Sequence, residues 1–366
     1  MNTNKLKTLS SLKTLFFPLS KRVYIVGGYV RDNILGIESD DIDLEVYDIN
    51  IEKFTELMNQ IGAIGVGKSF FVYKYEGLDI SLPRTETKTG YGHNGFDVSY
   101  INDEKIASKR RDFTINAFMQ NLYTDEILDF YGGMEDLQSK TIRIVDNKTF
   151  VEDSLRVLRG IRFASKFGFK IDSKSFEIMQ NISLDDLSTE RISKELELIF
   201  QTNYIEYGFF YLCKIGFLKK YFNINIDKKT FFAIYRLLKT KKRFFNTELY
   251  EYYMLYIINS FCRVDFSIIH SNKYEKFILK QQPLKFDISD RDLCIIALDM
   301  PISSWLGALS DDIVYRANEL EIYKKKLNTD VNPQEIIKDG FTGSSIKSEY
   351  LMRNLKYIDD KITKRQ

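Results

Sequence analysis

Histidine is almost missing. The 366 residues contain two, His93 and His270, which excludes a metal site built on several imidazoles. Cysteine is scarce as well. Cys213, Cys262 and Cys294 stand far apart and form no C-x-x-C pair. They suit reduced thiols in a cytoplasmic protein better than a disulfide framework or a zinc site. No apolar run approaches the roughly 18 residues of a membrane span. The N-terminal patch "LFFPL" is too short and too Pro-broken for a signal sequence. A large excess of one charge is missing too. Lys and Arg number 53 against 51 Asp and Glu, so any nucleic-acid surface has to be local. The remaining composition, 44% hydrophobic and 28% charged, is that of a soluble chain with room for two or three domains.

The chain changes character near residue 145. Before it, "VYIVGG", "IDLEVY", "FFVYKY", "LDISL", "FDVSY" and "TIRIV" alternate with glycine turns and predict an α/β domain with a mixed sheet. After it, "DSLRVLRGIRFASKFG", "KSFEIMQNI", "ERISKELELIFQ" and "FFAIYRLLKTKKRFF" predict helices, and the pattern stays helical almost to the end.

One stretch invites a wrong reading. "GAIGVGKS", residues 62–69, satisfies the P-loop pattern through Gly62, Gly67, Lys68 and Ser69. A P-loop needs a strand before it and a helix after it, because the helix N-terminus favours the phosphate charge. Here "IEKFTELMNQI" upstream has helical spacing, and "FFVYKYEGLDISL" downstream reads as a hairpin turning at Glu76-Gly77. The order is reversed. The stretch reads as a helix stop at Gly62 leading to an edge of the sheet, and a P-loop ATPase is the weaker competitor.

The chemistry gathers elsewhere. In "VYIVGGYVRDNILGIESDDIDLEVYDI" a strand ends at Gly27-Gly28, and a short helix carries Arg31. Glycines let a backbone approach phosphate, and arginine can grip it with two donors. Asp41 and Asp43 then fall on one face of a second strand. Either they form a solvated acidic edge, or a divalent cation sits between them. Mg²⁺ is commonly held by one or two carboxylates plus substrate phosphates. Asp79, in "LDISLPR", is a third ligand of a two-metal site or simply the end of a hairpin. "SKRRDFTINAF" brings Arg110, Arg111 and Asp112 before an amphipathic segment, which reads equally as a solvated helix start. In "FVEDSLRVLRGIRF", Glu152 and Asp153 open a helix. Asp153, Arg156 and Arg159 share one side of it, and Leu155, Leu158 and Ile161 form a buried stripe. An Asp and an Arg one turn apart can read a base edge, or can be ordinary surface. Between Lys214 and Arg243 lie Lys219, Lys220, Lys228, Lys229, Arg236, Lys239, Lys241 and Lys242, opposed by Asp227 alone. Such a cluster tracks an RNA backbone or is a solvated helical face.

The order of these motifs, "GGYVRD", "DIDLEVY", "SLPRTETKTGYGH", "RRDFTINA", "DFYGGMEDLQSKTIRIV" and "FVEDSLRVLRGIRFASKFGF", resembles the class II tRNA nucleotidyltransferases. These are the CCA-adding enzymes and bacterial poly(A) polymerases of the polymerase β superfamily. The likeness runs from residue 23 to about 169 and continues weakly in "STERISKELELIF". It implies a nucleotidyltransferase head over 1–145, a helical neck for base recognition over 146–205, and a tRNA-binding helical body and tail over 206–366. By the same resemblance, Gly28 and Arg31 contact the phosphates of CTP or ATP, and Asp41 and Asp43 hold Mg²⁺. Arg111, supported by Asp112, binds triphosphate. Asp153 and Arg156 pair with the base, and Arg159 and Arg162 help hold that site. "PRTETKTGYGH" corresponds to a flexible loop. Neither histidine is followed by aspartate, so the HD phosphohydrolase domain that some relatives carry is not expected.

The implied reaction is template-independent addition of C, C and A to tRNA 3′ ends. The 3′-hydroxyl attacks an α-phosphate, and pyrophosphate leaves. Poly(A) polymerase, CC-adding and A-adding enzymes share the head and are alternatives; no long basic tail follows, which disfavours the first. An alternative of another class is a catalytically silent RNA-binding protein on the same fold.

Overall fold

The computed structural model describes residues 3–66, 72–88 and 96–364, without the side chains of Thr3, residues 86–88 and 96–98, and Lys242. The chain divides into two compact units, Met1–Ile215 and Gly216–Gln366, and residues 146–205 fall within the first.

The first unit is built on a seven-stranded mixed sheet. Its elements begin with α1 (Thr3–Phe16), β1 (Val23–Val26), α2 (Gly28–Ile34), β2 (Ile42–Val46), α3 (Ile51–Gln60), β3 (Ile64–Val66), β4 (Val72–Tyr75) and β5 (Leu78–Ser81). There follow a separate ribbon of β6 (Arg84–Lys88) and β7 (Phe96–Tyr100), then α4 (Glu104–Lys109), β8 (Met119–Asn121) and β9 (Ile127–Leu128). The sheet order is β3-β4-β5-β2-β1-β8-β9. All four residues of β1 are buried, as befits a central strand. In β2, apolar Ile42, Leu44 and Val46 alternate with Asp43 and Glu45, so the strand presents its acids on one face.

Register brings the key residues to one end of this sheet. β1 and β2 are antiparallel with Val26 opposite Asp43, so the turn at Gly27 follows directly beside the carboxylates. β2 and β5 are parallel with Asp43 beside Asp79. Gly27 has φ 77°, a left-handed backbone that glycine adopts at little cost.

At the P-loop-like stretch, α3 ends at Gln60, the Gly62 amide donates to the Asn59 carbonyl, and Ile64–Val66 forms the sheet edge. The order is therefore helix, turn, strand. Lys68 lies outside the described residues. The β4–β5 hairpin turns at Glu76 and Gly77, both with positive φ. "TIRIV" yields only a short strand, β10 (Thr141–Ile142), and an isolated bridge at Ile144.

The helical part of this unit holds α5 (Gly133–Gln138), α6 (Asn147–Phe150), α7 (Leu155–Phe167), β11 (Lys170–Ile171), α8 (Ser173–Gln180), α9 (Thr189–Phe200) and α10 (Ile205–Lys214). α7 packs on α9 and α10. A Cβ on Gly160 would come within 2.8 Å of Phe113, so the glycine lets α7 lie close to the segment carrying Asp112. Two corrections concern α7. It starts at Leu155, so Asp153 precedes the helix rather than opening it. Leu158 and Ile161 are buried, but Leu155 is only half-buried and faces a cleft.

The second unit is helical: α11 (Phe217–Tyr221), α12 (Lys228–Lys239), α13 (Tyr250–Phe261), α14 (Asn272–Leu279), α15 (Asp290–Asp299), α16 (Asp311–Glu319), α17 (Pro333–Lys338) and α18 (Ser344–Thr363). Trp305, fully buried, centres one core with Leu293, Ile302, Ile313 and Ile358. α12 stops at Lys239, and Lys241–Phe244 forms a 3₁₀ turn in place of the continuous helix expected. No described helix is long and apolar enough to cross a membrane.

Candidate nucleotide cleft

A cleft of about 740 Å³ opens in the first unit. Gly28, Arg31, Asp41, Asp43, Arg111, Asp112, Asp153, Arg156, Arg159 and Arg162 all line it, drawn from three stretches of sequence. The β1–α2 turn and β2 supply one wall, the Arg110–Asp112 segment the next, and α7 the third.

What distinguishes its acids is their partners. Asp32 pairs with Arg31 at 2.7 Å and with Lys166 at 3.3 Å. Asp112 accepts from Arg159 at 2.7 and 2.8 Å, from Asn116 at 2.8 Å and from the Phe113 amide at 2.9 Å. Asp153 accepts from the Leu155 amide at 3.2 Å, and Arg191 stands 3.5 Å away. Asp41 and Asp43 alone among the cleft's carboxylates have no ion pair with any described residue. Burial pushes the Asp43 carboxyl up, and the charges of Asp41, Asp79 and Glu45 add to the push while Arg111 opposes it. Crowded carboxylates with no ion pair among the described residues are a donor set that a divalent ion fits.

Asp79 does not line the cleft. It sits beside Asp43 in register, but Lys74, its cross-strand neighbour, holds it at 2.7 Å. No group of three or more potential ligands is placed to hold a metal among the described residues. The carboxylates fit a cation as a pair rather than as a triad.

The cations differ in the same way. Arg31 is buried and donates to Asp32 and to Asn116, so its fork is engaged within the protein. Burial lowers its pKa, opposed by Asp32. Arg156 donates to the main-chain carbonyls of Thr149 at 2.8 Å and Arg110 at 3.0 Å. Those bonds orient its guanidinium without neutralising it. Arg162 stands 3.4 Å from Glu195, and among the described residues that buried carboxylate oxygen accepts no hydrogen bond. Arg111 Nη1 is 3.2 Å from where a Cβ on Gly27 would stand, so the glycine turn admits the guanidinium.

Three residues escaped the sequence reading. Glu45 continues the alternation of Asp41 and Asp43, which was the available signal. It is 2% exposed and takes hydrogen bonds from Arg110, Arg111 and Tyr47. Burial alone would raise its pKa, but the two arginines hold it below the usual range. Lys166 lines the cleft one turn beyond Arg162, continuing the helical spacing of Arg159 and Arg162. Asp32, adjacent to Arg31, gave no signal beyond its position.

In the second unit Lys219, Lys220, Lys228, Lys229 and Arg236 are exposed, with Phe232 53% exposed among the last three. Lys241 is 8% exposed and therefore buried, not part of an accessible stripe. Arg243 is half-buried and donates to the Ser310 carbonyl at 3.0 Å. The Lys242 side chain and residues 89–93 of the expected flexible loop lie outside the described ones.

The family model described as the poly A polymerase head domain matches residues 23–143. The CCA-adding enzyme of Buchnera aphidicola subsp. Cinara cedri is 30% identical over 377 residues, covering 92% of this chain and 88% of that protein. The multifunctional CCA protein of Psychromonas ingrahamii is 38% identical over 193 residues. That match covers 50% of this chain and spans only 46% of the relative's length. Among solved structures, a CCA-adding enzyme in apo form II superposes with a TM-score of 0.62 at 22% identity, over 98% of this chain and 93% of that one. A tRNA nucleotidyltransferase complexed with a primer tRNA and an incoming ATP analogue gives 0.58 at 21%, over 86% and 97%. At such identities these two matches establish a shared fold. Taken with the Buchnera relative, matched along nearly its whole length, they lead to one conclusion: the chain belongs to the family of CCA-adding enzymes.

Proposed function

We propose that this chain adds C, C and A to the 3′ end of tRNA from CTP and ATP without a nucleic-acid template. The observation that carries the reading is the pairing pattern of the cleft. Among the described residues two carboxylates, Asp41 and Asp43, have no ion pair, and they share the cleft with a wall of arginines at a glycine turn. The reading draws further support from the relatives' names and from the ATP and CTP complexes of proteins with this fold.

The 3′-hydroxyl attacks the α-phosphate, and pyrophosphate leaves. Asp41 and Asp43 would hold a divalent cation such as Mg²⁺, which would supply Lewis acidity for the transfer. Arg111, with two nitrogens not engaged by Glu45, takes the triphosphate beside Gly28. Arg31 acts through Asp32 and Asn116 by shaping that wall, with a smaller share in direct phosphate contact than the motif implies. Asp112 orients Arg159.

Asp153 and Arg156 select the base. An ionised carboxylate only accepts and a guanidinium only donates. Cytosine and adenine both offer an amino donor beside a ring-nitrogen acceptor. Uracil and guanine present a carbonyl where the amino group would be, and it would face the Asp153 carboxylate. The exposed Lys219, Lys220, Lys228, Lys229 and Arg236 contact the tRNA backbone in this reading.

The test is incubation of purified protein with tRNA lacking its 3′ CCA and with CTP and ATP, singly and together. Sequential addition of all three nucleotides supports the proposal. Addition of only C, only one A, or a long A tract assigns the chain to a CC-adding, A-adding or poly(A)-forming activity. No addition in Mg²⁺ refutes the enzymatic reading.

A further inference from the structure

We propose that Glu45 is a positioning residue: it binds Arg110 and Arg111 at the cleft wall and so keeps the Arg111 guanidinium off Asp43, leaving that carboxylate open to a cation. The inference rests on the reading of Asp41 and Asp43 as cation ligands.

Consecutive side chains usually diverge, yet Arg110 and Arg111 converge on one atom. Both donate through Nη2 to Glu45 Oε1, at 2.8 and 3.0 Å. Tyr47 donates to the other oxygen at 3.1 Å, which sets the rotation of the carboxylate. Glu45 and Asp43 share one face of β2, about 7 Å apart along the strand. Arg111 lines the same cleft as Asp43 and reaches the Gly27 turn that follows Val26, the cross-strand partner of Asp43, but among the described residues its ion pair is with Glu45. One guanidinium thus stands in the cleft that Asp43 lines and is bound by buried Glu45. A charged carboxylate is the stronger acceptor for arginine than a neutral amide. If Glu45 lost its charge, the best acceptor left to Arg111 would be Asp43. A carboxylate capped by guanidinium has fewer lone pairs to offer a metal. Glu45 is therefore not a third ligand, although it continues the Asp41, Asp43 alternation.

The probe is Mn²⁺, titrated onto the full chain without nucleotide and followed by EPR. Glu45→Gln keeps the shape and the acceptor oxygen but removes the charge. It should weaken Mn²⁺ binding about tenfold, the scale of one competing charge-assisted pair. The Mg²⁺ needed for half-maximal CTP addition should rise by a similar factor, while the rate at saturating Mg²⁺ recovers. Adding Arg111→Gln to Glu45→Gln should restore Mn²⁺ affinity, an effect a merely structural role for Glu45 would not give. Unchanged Mn²⁺ affinity in Glu45→Gln, or no recovery in the double variant, overturns the inference. Asp43→Asn separates the two ideas. If it leaves Mn²⁺ binding intact, the cation reading falls and this inference with it. If it abolishes binding while Glu45→Gln has no effect, only the inference falls. Should Glu45→Gln fail to fold, Tyr47→Phe replaces it. Loosening the carboxylate should raise the Mg²⁺ requirement about two- to threefold, and an unchanged requirement overturns the inference.

Discussion

Asp112 offers a test of how the cleft is held together. It is 6% exposed and ties Arg159 of α7 to Asn116, which in turn accepts from Arg31. Burial alone would raise its carboxyl, but Arg159 and Asn116 outweigh it and hold the pKa at about 2, against 3.8 unperturbed. A carboxylate depressed in the folded state stabilises the fold above its unfolded pKa, and that stability is lost as pH falls toward the folded value. The gap corresponds to roughly 2 kcal/mol at neutral pH. Asp112→Asn keeps the shape and removes the charge, so it should cost about that much at pH 6. Near pH 2 the difference from wild type should shrink to under about 0.5 kcal/mol. Asp112→Ala should cost more, about 3–5 kcal/mol, because it leaves Arg159 uncompensated beside Arg31, Arg156 and Arg162. Trp305 lies in the second unit, so its fluorescence would report the wrong part of the chain. Amide exchange of the buried α7 residues Val157, Leu158, Gly160 and Ile161, measured between pH 6 and pH 2, reads the right one. A wild-type advantage over Asp112→Asn that stays constant across that range would refute the linkage.

Asp43→Asn should lower nucleotide addition by about a hundred- to a thousandfold, the weight of a lost metal ligand, with the far-UV spectrum unchanged; near-normal addition in Mg²⁺ would remove Asp43 from the chemistry. Asp153→Ala should slow CTP and ATP while raising relative incorporation of UTP and GTP, on the order of a hundredfold in selectivity. Single-nucleotide incorporation by wild type and variant checks this, and an unaltered preference order would place base selection elsewhere. Replacing Lys228, Lys229 and Arg236 together by Gln should weaken tRNA binding and reduce the slope of log affinity against log salt by about two to three. An unchanged slope would make α12 ordinary solvated surface.

Much of the site is legible in the sequence. Period-two alternation places Asp41 and Asp43 on one face of a strand wherever that strand lies. A glycine pair after a buried run marks a turn. Helical spacing groups Arg156 with Arg159 and Arg162, and the order of flanking elements disqualifies "GAIGVGKS". These are local rules, acting within a few residues. What they do not reach is which charge is already spent. Arg31 is committed to Asp32 and Asn116, 85 positions away. Glu45 collects Arg110 and Arg111, more than 60 residues on. Asp112 meets Arg159 where Gly160 lets α7 lie close to Phe113. Lys74 occupies Asp79 across a hairpin, and Lys241 is buried where Lys239 is exposed. The sequence by itself determined the strands, the helices and the faces on which the acids and arginines stand, because backbone periodicity and glycine conformation depend on neighbouring residues. The tertiary structure alone decided that, among the described residues, Asp41 and Asp43 are left without an ion pair while the other acids of the cleft are not, because ion pairing is a competition among groups that only the folded chain brings within reach.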